Sequence, residues 1–415
     1  MANTNIRITL GTYDGWIYGW EPTAEKSVAA AATKDVDPSK QSLADMLNNA
    51  SNKSVNGVRL DDGGMSLVYA YEAHVGIVRC AALMKSKNGN ILATGGMDEI
   101  IRVYNLNKKR EVGELVQHTG GITSLQFVGS KYLLSASEDK TVRIWRVKDW
   151  ACLHVLGGHK DGITSLAVHP SGRLALSTSK DKTMRLWNLL EGRNAYISRM
   201  KTVPEKVVWS PSAEMYAILF RNEIYVYQST NGEVVANINT KGSRIQDVLF
   251  LNDNVICYSS TFGILSLWNY VDETLSLQLN AGIKDRIRSL VKIDNRTILS
   301  VTTNGLVHVW DLKDDTLSND TTPLYTLKSI AKTGSRTTCL DVCVLGGGSD
   351  DSNTKNNNGD EGVNNNDNAQ SRKNNNNKKR RKKKNGKKRK QTGSNSNNDN
   401  NNNNNVKNYP NKKRL

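Results

Sequence analysis

His118, Ser137 and Asp139 bring together the three residue types of a hydrolytic triad. So do His159, Ser179 and Asp181, one register further on. A hydrolase needs one exposed nucleophile and an oxyanion hole. Here the set recurs with a tryptophan added six residues after each aspartate, at Trp145 and Trp187. Recurrence in register marks a repeated structural element, so the expectation is two structural tetrads and no catalytic residue. A third set, His74, Asp98 and Tyr104, keeps the six-residue step but has Gly96 where the others have serine. Cys339 and Cys343 lie four apart with no further His or Cys to complete a metal site, so they read as ordinary buried thiols. Gly346-Gly-Gly348 lacks the following Lys-Ser/Thr of a phosphate loop. No cofactor, metal or small-molecule substrate is expected.

The elements that carry these sets are repeats. Aromatic-polar pairs stand at Tyr104-Asn105, Trp145-Arg146, Trp187-Asn188, Tyr227-Gln228, Trp268-Asn269 and Trp310-Asp311, with steps of 41, 42, 40, 41 and 42 residues. Trp20-Glu21 is a seventh member. Within each period apolar residues alternate with period two, and Gly, Asn, Ser or Asp breaks the runs, which predicts four short antiparallel strands per unit. Units of this length arranged radially make a propeller. The fold class expected is therefore all-β, a seven-bladed propeller over residues 1–345. Arg7–Leu10, Trp16–Tyr18 and Ser66–Ala70 supply three strands of one blade. Thr338–Leu345 supplies the fourth, so the two ends seal the ring. Residues 21–64 exceed one period and read as an inserted loop.

The tetrad spacing resembles that of the WD-repeat family. That resemblance implies that Asp sits in the turn between the second and third strands and bonds His, that His bonds Ser, and that Ser bonds the Trp ring N–H. The tetrad residues so implied are His118, Ser137, Asp139, Trp145, His159, Ser179, Asp181 and Trp187. Positions equivalent to the aspartate hold Arg221, Phe262 and Asn304 in three later periods. Those blades are expected to rest on strand pairing and packing alone.

Charge is unevenly placed. The chain carries a net +17; residues 346–415 hold 18 Lys/Arg against 6 Asp/Glu, a net +12, leaving +5 for 1–345. This Asn/Lys/Arg-rich tail cannot bury enough apolar surface to order itself and is expected to be disordered. Its block Lys378, Lys379, Arg380, Arg381, Lys382, Lys383, Lys384, Lys387, Lys388, Arg389 and Lys390 places eleven cations in thirteen residues. Such a block points to nuclear or nucleolar targeting and to contact with RNA. Five scattered cysteines argue against a disulfide framework, and no run of 18 apolar residues suggests a membrane span.

The first–second and third–fourth strand turns of a propeller emerge on one face. In the blades of 74–193 they carry Lys85, Lys87, Lys108, Lys109, Arg110, Lys131, Lys148, Arg173 and Arg193, a candidate RNA-facing set. In the blades of 202–315 they carry Glu214, Glu233, Asp253, Asp272, Glu273, Asp294, Asp314 and Asp315. One half of that face is expected to be basic and the other acidic.

The stretch His169-Pro-Ser-Gly-Arg through Asp181-Lys-Thr-Met-Arg-Leu-Trp187 to Val207-Val-Trp-Ser-Pro211 is more than a generic repeat. With Gly11-Thr-Tyr-Asp14, Tyr18-Gly-Trp20 and Trp150-Ala-Cys-Leu153, it resembles the nucleolar WD-repeat family of the p21-activated-kinase-interacting protein and its fungal maintenance-of-killer, ribosome-assembly counterpart. The resemblance spans most of 6–345 and is closest over 118–211; the insertion and the Asn-rich tail depart from it. It implies a non-catalytic scaffold in biogenesis of the large (60S) ribosomal subunit, with pre-ribosomal proteins and rRNA as partners, acting in the nucleolus. The alternative it implies is a signalling adaptor that negatively regulates a p21-activated kinase. A ubiquitin-ligase substrate receptor is disfavoured, because Trp145-Arg-Val-Lys148, Trp187-Asn-Leu-Leu190 and Trp310-Asp-Leu-Lys313 all lack a Trp-Asp-x-Arg ending.

Overall fold

The computed structural model describes residues 6–22, 65–312 (apart from 88, 241, 262, 273 and 280–282) and 325–345. The insertion beyond Pro22, Glu273, Asp314, Asp315 and the whole tail with its basic block lie outside the described residues, as does the side chain of Lys87.

Seven four-stranded antiparallel sheets make up the described chain. In each, strand a faces the axis and strands b, c and d follow outward. Blade 1 is Val78–Leu83, Ile91–Gly96, Ile101–Asn105 and Arg110–Leu115. Blade 2 is Ile122–Val128, Tyr132–Ser137, Val142–Arg146 and Ala151–Leu156. Blade 3 is Ile163–Val168, Leu174–Ser179, Thr183–Asn188 and Arg193–Arg199. Blade 4 is Lys206–Trp209, Met215–Leu219, Glu223–Gln228 and Val234–Asn239. Blade 5 is Ile245–Phe250, Val255–Ser260, Leu265–Asn269 and Thr274–Leu279. Blade 6 is Ile287–Lys292, Thr297–Thr302, Leu306–Leu312 and Tyr325–Lys332. Blade 7 joins both ends: Thr337–Val344, then Ile6–Thr12, Trp16–Pro22 and Met65–Glu72.

The aromatic that repeats every 40–42 residues sits where strand c loses register with strand d. The shift falls at Tyr104, Trp145, Trp187, Tyr227, Trp268 and Trp20, each time just before the aromatic. Blade 6 places it two residues earlier, between Val307 and His308. A bulge adds local right-handed twist, which lets strand d splay from the axis while the ring side chain turns inward. Trp20, Trp145, Trp187 and Trp310 are fully buried, and each indole fills the seam to the preceding blade. Seven apolar clusters result, one per seam. The alternating pattern therefore serves two seams at once, because the two faces of a sheet pack on different neighbours.

Ring closure follows the expected route. Thr337–Val344 pairs antiparallel with Ile6–Thr12, with Ile6 opposite Val344 and Gly11 opposite Cys339. Blade 7 is tied to blade 1 by polar contacts as well: Leu83 N–H donates to Asp341 Oδ2 at 2.7 Å, and Arg7 Nη1 donates to Gly89 O at 2.7 Å. The same clamp, a strand-a side chain accepting from the next blade's strand-a amide, recurs at Gln126 with Val168 N (2.8 Å) and at Asp247 with Leu290 N (2.8 Å). Asp247 also receives the Lys206 ammonium. The blades without a full tetrad are thus held by polar ties in addition to packing, which corrects the expectation of packing alone.

Candidate nucleic-acid interface

The tetrad residues are placed by the b–c turn and the loop entering strand a. In blade 2, His118 Nδ1 lies 2.6 Å from Asp139 Oδ2, and His118 Nε2 lies 2.7 Å from Ser135 Oγ. Trp145 Nε1 donates to that same Ser135 Oγ at 2.8 Å. Blade 3 repeats this with His159, Asp181 (3.1 Å), Ser177 (2.8 Å) and Trp187 (2.7 Å). The serines expected from sequence, Ser137 and Ser179, are therefore not the tetrad hydroxyls. Ser137 Oγ is committed at the turn, donating to Gly120 O at 2.7 Å and accepting from Asp139 N at 3.0 Å. Ser179 does the same with Asp161 O (2.8 Å) and Asp181 N (3.1 Å). The working hydroxyl lies two residues deeper in strand b, ten before the tryptophan. In blade 1 that position is Thr94, 2.8 Å from His74 Nε2, so this set keeps its hydroxyl despite Gly96. Blade 6 retains the end of the chain of bonds alone: Trp310 Nε1 donates to Ser300 Oγ at 2.8 Å.

Donor inventory fixes the direction of these bonds. The indole N–H donates to Ser Oγ, Ser O–H donates to His Nε2, and His Nδ1–H donates to the carboxylate. Ser135 and Ser177 are spent in this way, Thr94 meets His74 Nε2 with no indole behind it, and all three are fully buried, so none of these hydroxyls faces solvent as a nucleophile. Ser135→Ala would strand an indole N–H and an imidazole nitrogen in the core, at a cost of about 1–3 kcal/mol. A thermal melt is expected to show the loss; a wild-type melting temperature would refute the Ser135 assignment.

These networks also set the acid limit of stability. Burial raises the Asp181 carboxyl, but hydrogen bonds from Thr183, the Lys160 amide and His159 outweigh it and hold the group at about 2. Burial raises Asp139 too, yet His118 and Thr141 hold it well below the carboxylate range. Burial lowers His74 and His159 from 6.5, more than Asp98 and Asp181 raise them. A histidine lowered on folding takes up its proton first in the unfolded chain, so its contribution is complete above 6.5 and fades as pH falls. A carboxylate lowered on folding contributes above its ordinary value near 3.8 and fades below it. Buried Asp341, raised by desolvation, works the opposite way in that lower window. The melting temperature is expected to be level from pH 7 to 8, to fall below about 6.5, and to fall again below about 4. A melting temperature that rises between pH 6.5 and 5 would contradict this.

The candidate RNA-facing cations do not all meet. The c–d turn of blade 1 and the a–b and c–d turns of blade 2 enclose a cleft of about 610 Å³ that gathers Lys108, Arg110, Lys131 and Lys148. Lys109 shares the first turn, in a left-handed conformation (φ 47°), and is exposed. Lys85 lines a different cleft beside Leu125 and Asp341, and Arg173 and Arg193 lie on blade 3, outside the blade 1–2 cleft. Arg193 is paired with Glu191. The cleft adds residues that charge counting missed: Arg146, bound to Asp149 at 2.5 Å, and the rings of Tyr132 and Trp150. Their signal in the sequence was adjacency, an aromatic next to a basic turn residue in Lys131-Tyr132 and two after one in Lys148-Asp-Trp150. Cations that track phosphates beside rings that stack on bases suit single-stranded nucleic acid.

On the same face, blades 4 and 5 form a counterpart of opposite sign. A cleft of about 360 Å³ is lined by Glu214, Asp253, Tyr270 and the exposed Val235 and Val271. Asp253 Oδ1 accepts from Ser212 N at 2.8 Å across the seam. Glu233, Asp272 and Asp294 are exposed on turns of blades 4 to 6.

The family model for the WD domain, G-beta repeat, matches residues 65–105, 109–146 and 150–188. These stretches are WD repeats. Each matched repeat takes strand d of one blade with strands a, b and c of the next, so the sequence unit itself bridges a seam. The p21-activated protein kinase-interacting protein 1-like of Xenopus laevis is 34% identical over 226 residues, covering 54% of this chain and 61% of the relative. Protein MAK11 of Saccharomyces cerevisiae is 35% identical over 191 residues, 41% of this chain and 45% of the relative. The human p21-activated protein kinase-interacting protein 1 is 32% identical over 188 residues, 45% of this chain and 47% of the relative. The resemblance read from 118–211 is to these proteins. The WD-repeat chain spans about half to three-fifths of the length of the relatives it matches.

Proposed function

We propose that this WD-repeat protein is a non-catalytic scaffold in assembly of the large ribosomal subunit, acting in the nucleolus. The observation that carries the reading is the convergence of Lys108, Arg110, Lys131 and Lys148 with Tyr132 and Trp150 in one cleft. Precursor rRNA is the expected occupant, and the polybasic tail adds a second, sequence-independent contact. The acidic cleft of blades 4 and 5 repels phosphate and suits basic assembly or ribosomal proteins. The similarity to MAK11 and the family resemblance support the ribosomal role.

Depletion is expected to lower large-subunit levels while sparing the small subunit, read from subunit profiles. Normal large-subunit levels after complete depletion would refute the role. The names of the vertebrate relatives favour one second reading, an adaptor that binds a p21-activated kinase. Binding of the purified kinase, abolished by substitutions in the acidic cleft and by none in the basic one, would support it.

A further inference from the structure

A second basic cleft opens on the opposite face, where the b–c turns and the entries to strand a meet around the axis. It measures about 620 Å³ and is lined by Arg79, Lys284, Arg286, Arg288 and Arg336, with Asp285 as its one carboxylate. These side chains come from blades 1, 6 and 7, so closure of the ring creates the site. Arg79 is paired with Glu138 at 3.0 Å. Among the described residues no carboxylate stands within ion-pair distance of Lys284, Arg286, Arg288 or Arg336. Asp285 is engaged by Asn304 Nδ2 at 2.7 Å. The same turn fixes the loop, because Thr303 N donates to Arg286 O at 2.9 Å. The cations therefore outnumber the one carboxylate beside them, in a concave space of the size that small ligands fill.

We propose that this mouth binds a compact anion bearing several phosphates. Four cations without an ion-pair partner, set against the single carboxylate of Asp285, leave three net positive charges in a small volume, more than one or two carboxylates neutralise. A phosphate monoester carries about −1.5 to −2, and guanidinium forks match its oxygens bidentately. A nucleic-acid strand fits less well. The one aromatic ring in the lining, Tyr13, has the Arg336 guanidinium 5.4 Å from its centroid over one face, so a strand finds at most a single stacking face here instead of the succession of rings that hold single strands. The site is independent of the cleft between blades 1 and 2, which lies on the other face.

The test is thermal unfolding of the full chain with sodium tripolyphosphate, with sulfate at matched ionic strength, and with an oligouridylate lacking terminal phosphates. The polybasic tail binds polyanions in the folded and unfolded chain alike, so its contribution cancels and the shift reports the propeller. Tripolyphosphate is expected to raise the melting temperature saturably and sulfate to leave it unmoved. The rise is expected to vanish in Arg286→Gln/Arg288→Gln and to persist in Lys108→Gln/Lys131→Gln/Lys148→Gln. Arg336→Gln, on the blade 7 wall, serves as the second probe if the double variant melts low without ligand. No rise over sulfate, a rise that survives both arginine variants, or an arginine-dependent rise with oligouridylate alone would each overturn the proposal.

Discussion

Charge reversal of Lys108, Arg110, Lys131 and Lys148 together is expected to release the protein from large-subunit precursors. The four residues belong to three turns, yet they border one cleft. All four are exposed turn or strand-end residues, and none of them makes an ion pair among the described residues. Folding is therefore expected to survive, with an unchanged melting temperature as the control. For single-stranded RNA the log–log dependence of affinity on salt is expected to flatten by about 0.7 for each phosphate that the cleft no longer neutralises. Affinity at physiological salt is expected to fall roughly ten- to a hundredfold, with the proposed tail contact retained. A variant with Lys85, Arg173 and Arg193 reversed instead is expected to change little, because those side chains lie outside the cleft. Equal reductions from both variants would make net charge, and not the cleft, the determinant.

Ending the chain at Arg336 is expected to abolish cooperative folding, whereas ending it at Leu345 leaves the propeller intact. The shorter chain lacks strand a of blade 7 and with it the pairing to Ile6–Thr12. Ile8 and Leu10 then lack Leu340 and Val342, their partners in the cluster that fills the blade 6–7 seam. The Asp341 clamp to Leu83 goes as well. A propeller open at one seam exposes two strand edges and two apolar faces, the usual template for aggregation. The remaining burial cannot offset this in a protein of ordinary marginal stability, about 5–15 kcal/mol. Circular dichroism and a thermal melt of the two truncations separate the outcomes. A sharp melt from the chain ending at Arg336 would show that blade 7 is dispensable.

The sequence carried the ring because the aromatic period is a local pattern, repeated often enough to set blade number, strand count and closure. The tetrad was half legible. Its histidine and aspartate sit in loops at fixed steps from the tryptophan, but the hydroxyl lies on strand b, where Ser135 and Ser137 point to the same face. Register decides between them: Ser135 stands opposite Arg143, one pair from the turn, directly under the indole. The step of ten residues that marks it also finds Thr94, Ser177 and Ser300. The basic cleft was legible as charge but not as a site, because 108–110, 131–132 and 146–150 meet only across a seam. The basic mouth was not legible at all. Arg79, Arg286, Arg288 and Arg336 belong to three blades, and counting the turns of the a–b and c–d face assigned blades 4 to 6 an acidic character that holds on that face only.

Sedimentation of a cell extract at moderate salt tests the scaffold role most directly. The protein is expected to co-migrate with precursors of the large subunit and to shift to the top of the gradient when Lys108, Arg110, Lys131 and Lys148 are reversed. A wild-type protein found entirely in the light fractions, bound to a kinase and absent from every precursor particle, would contradict the account.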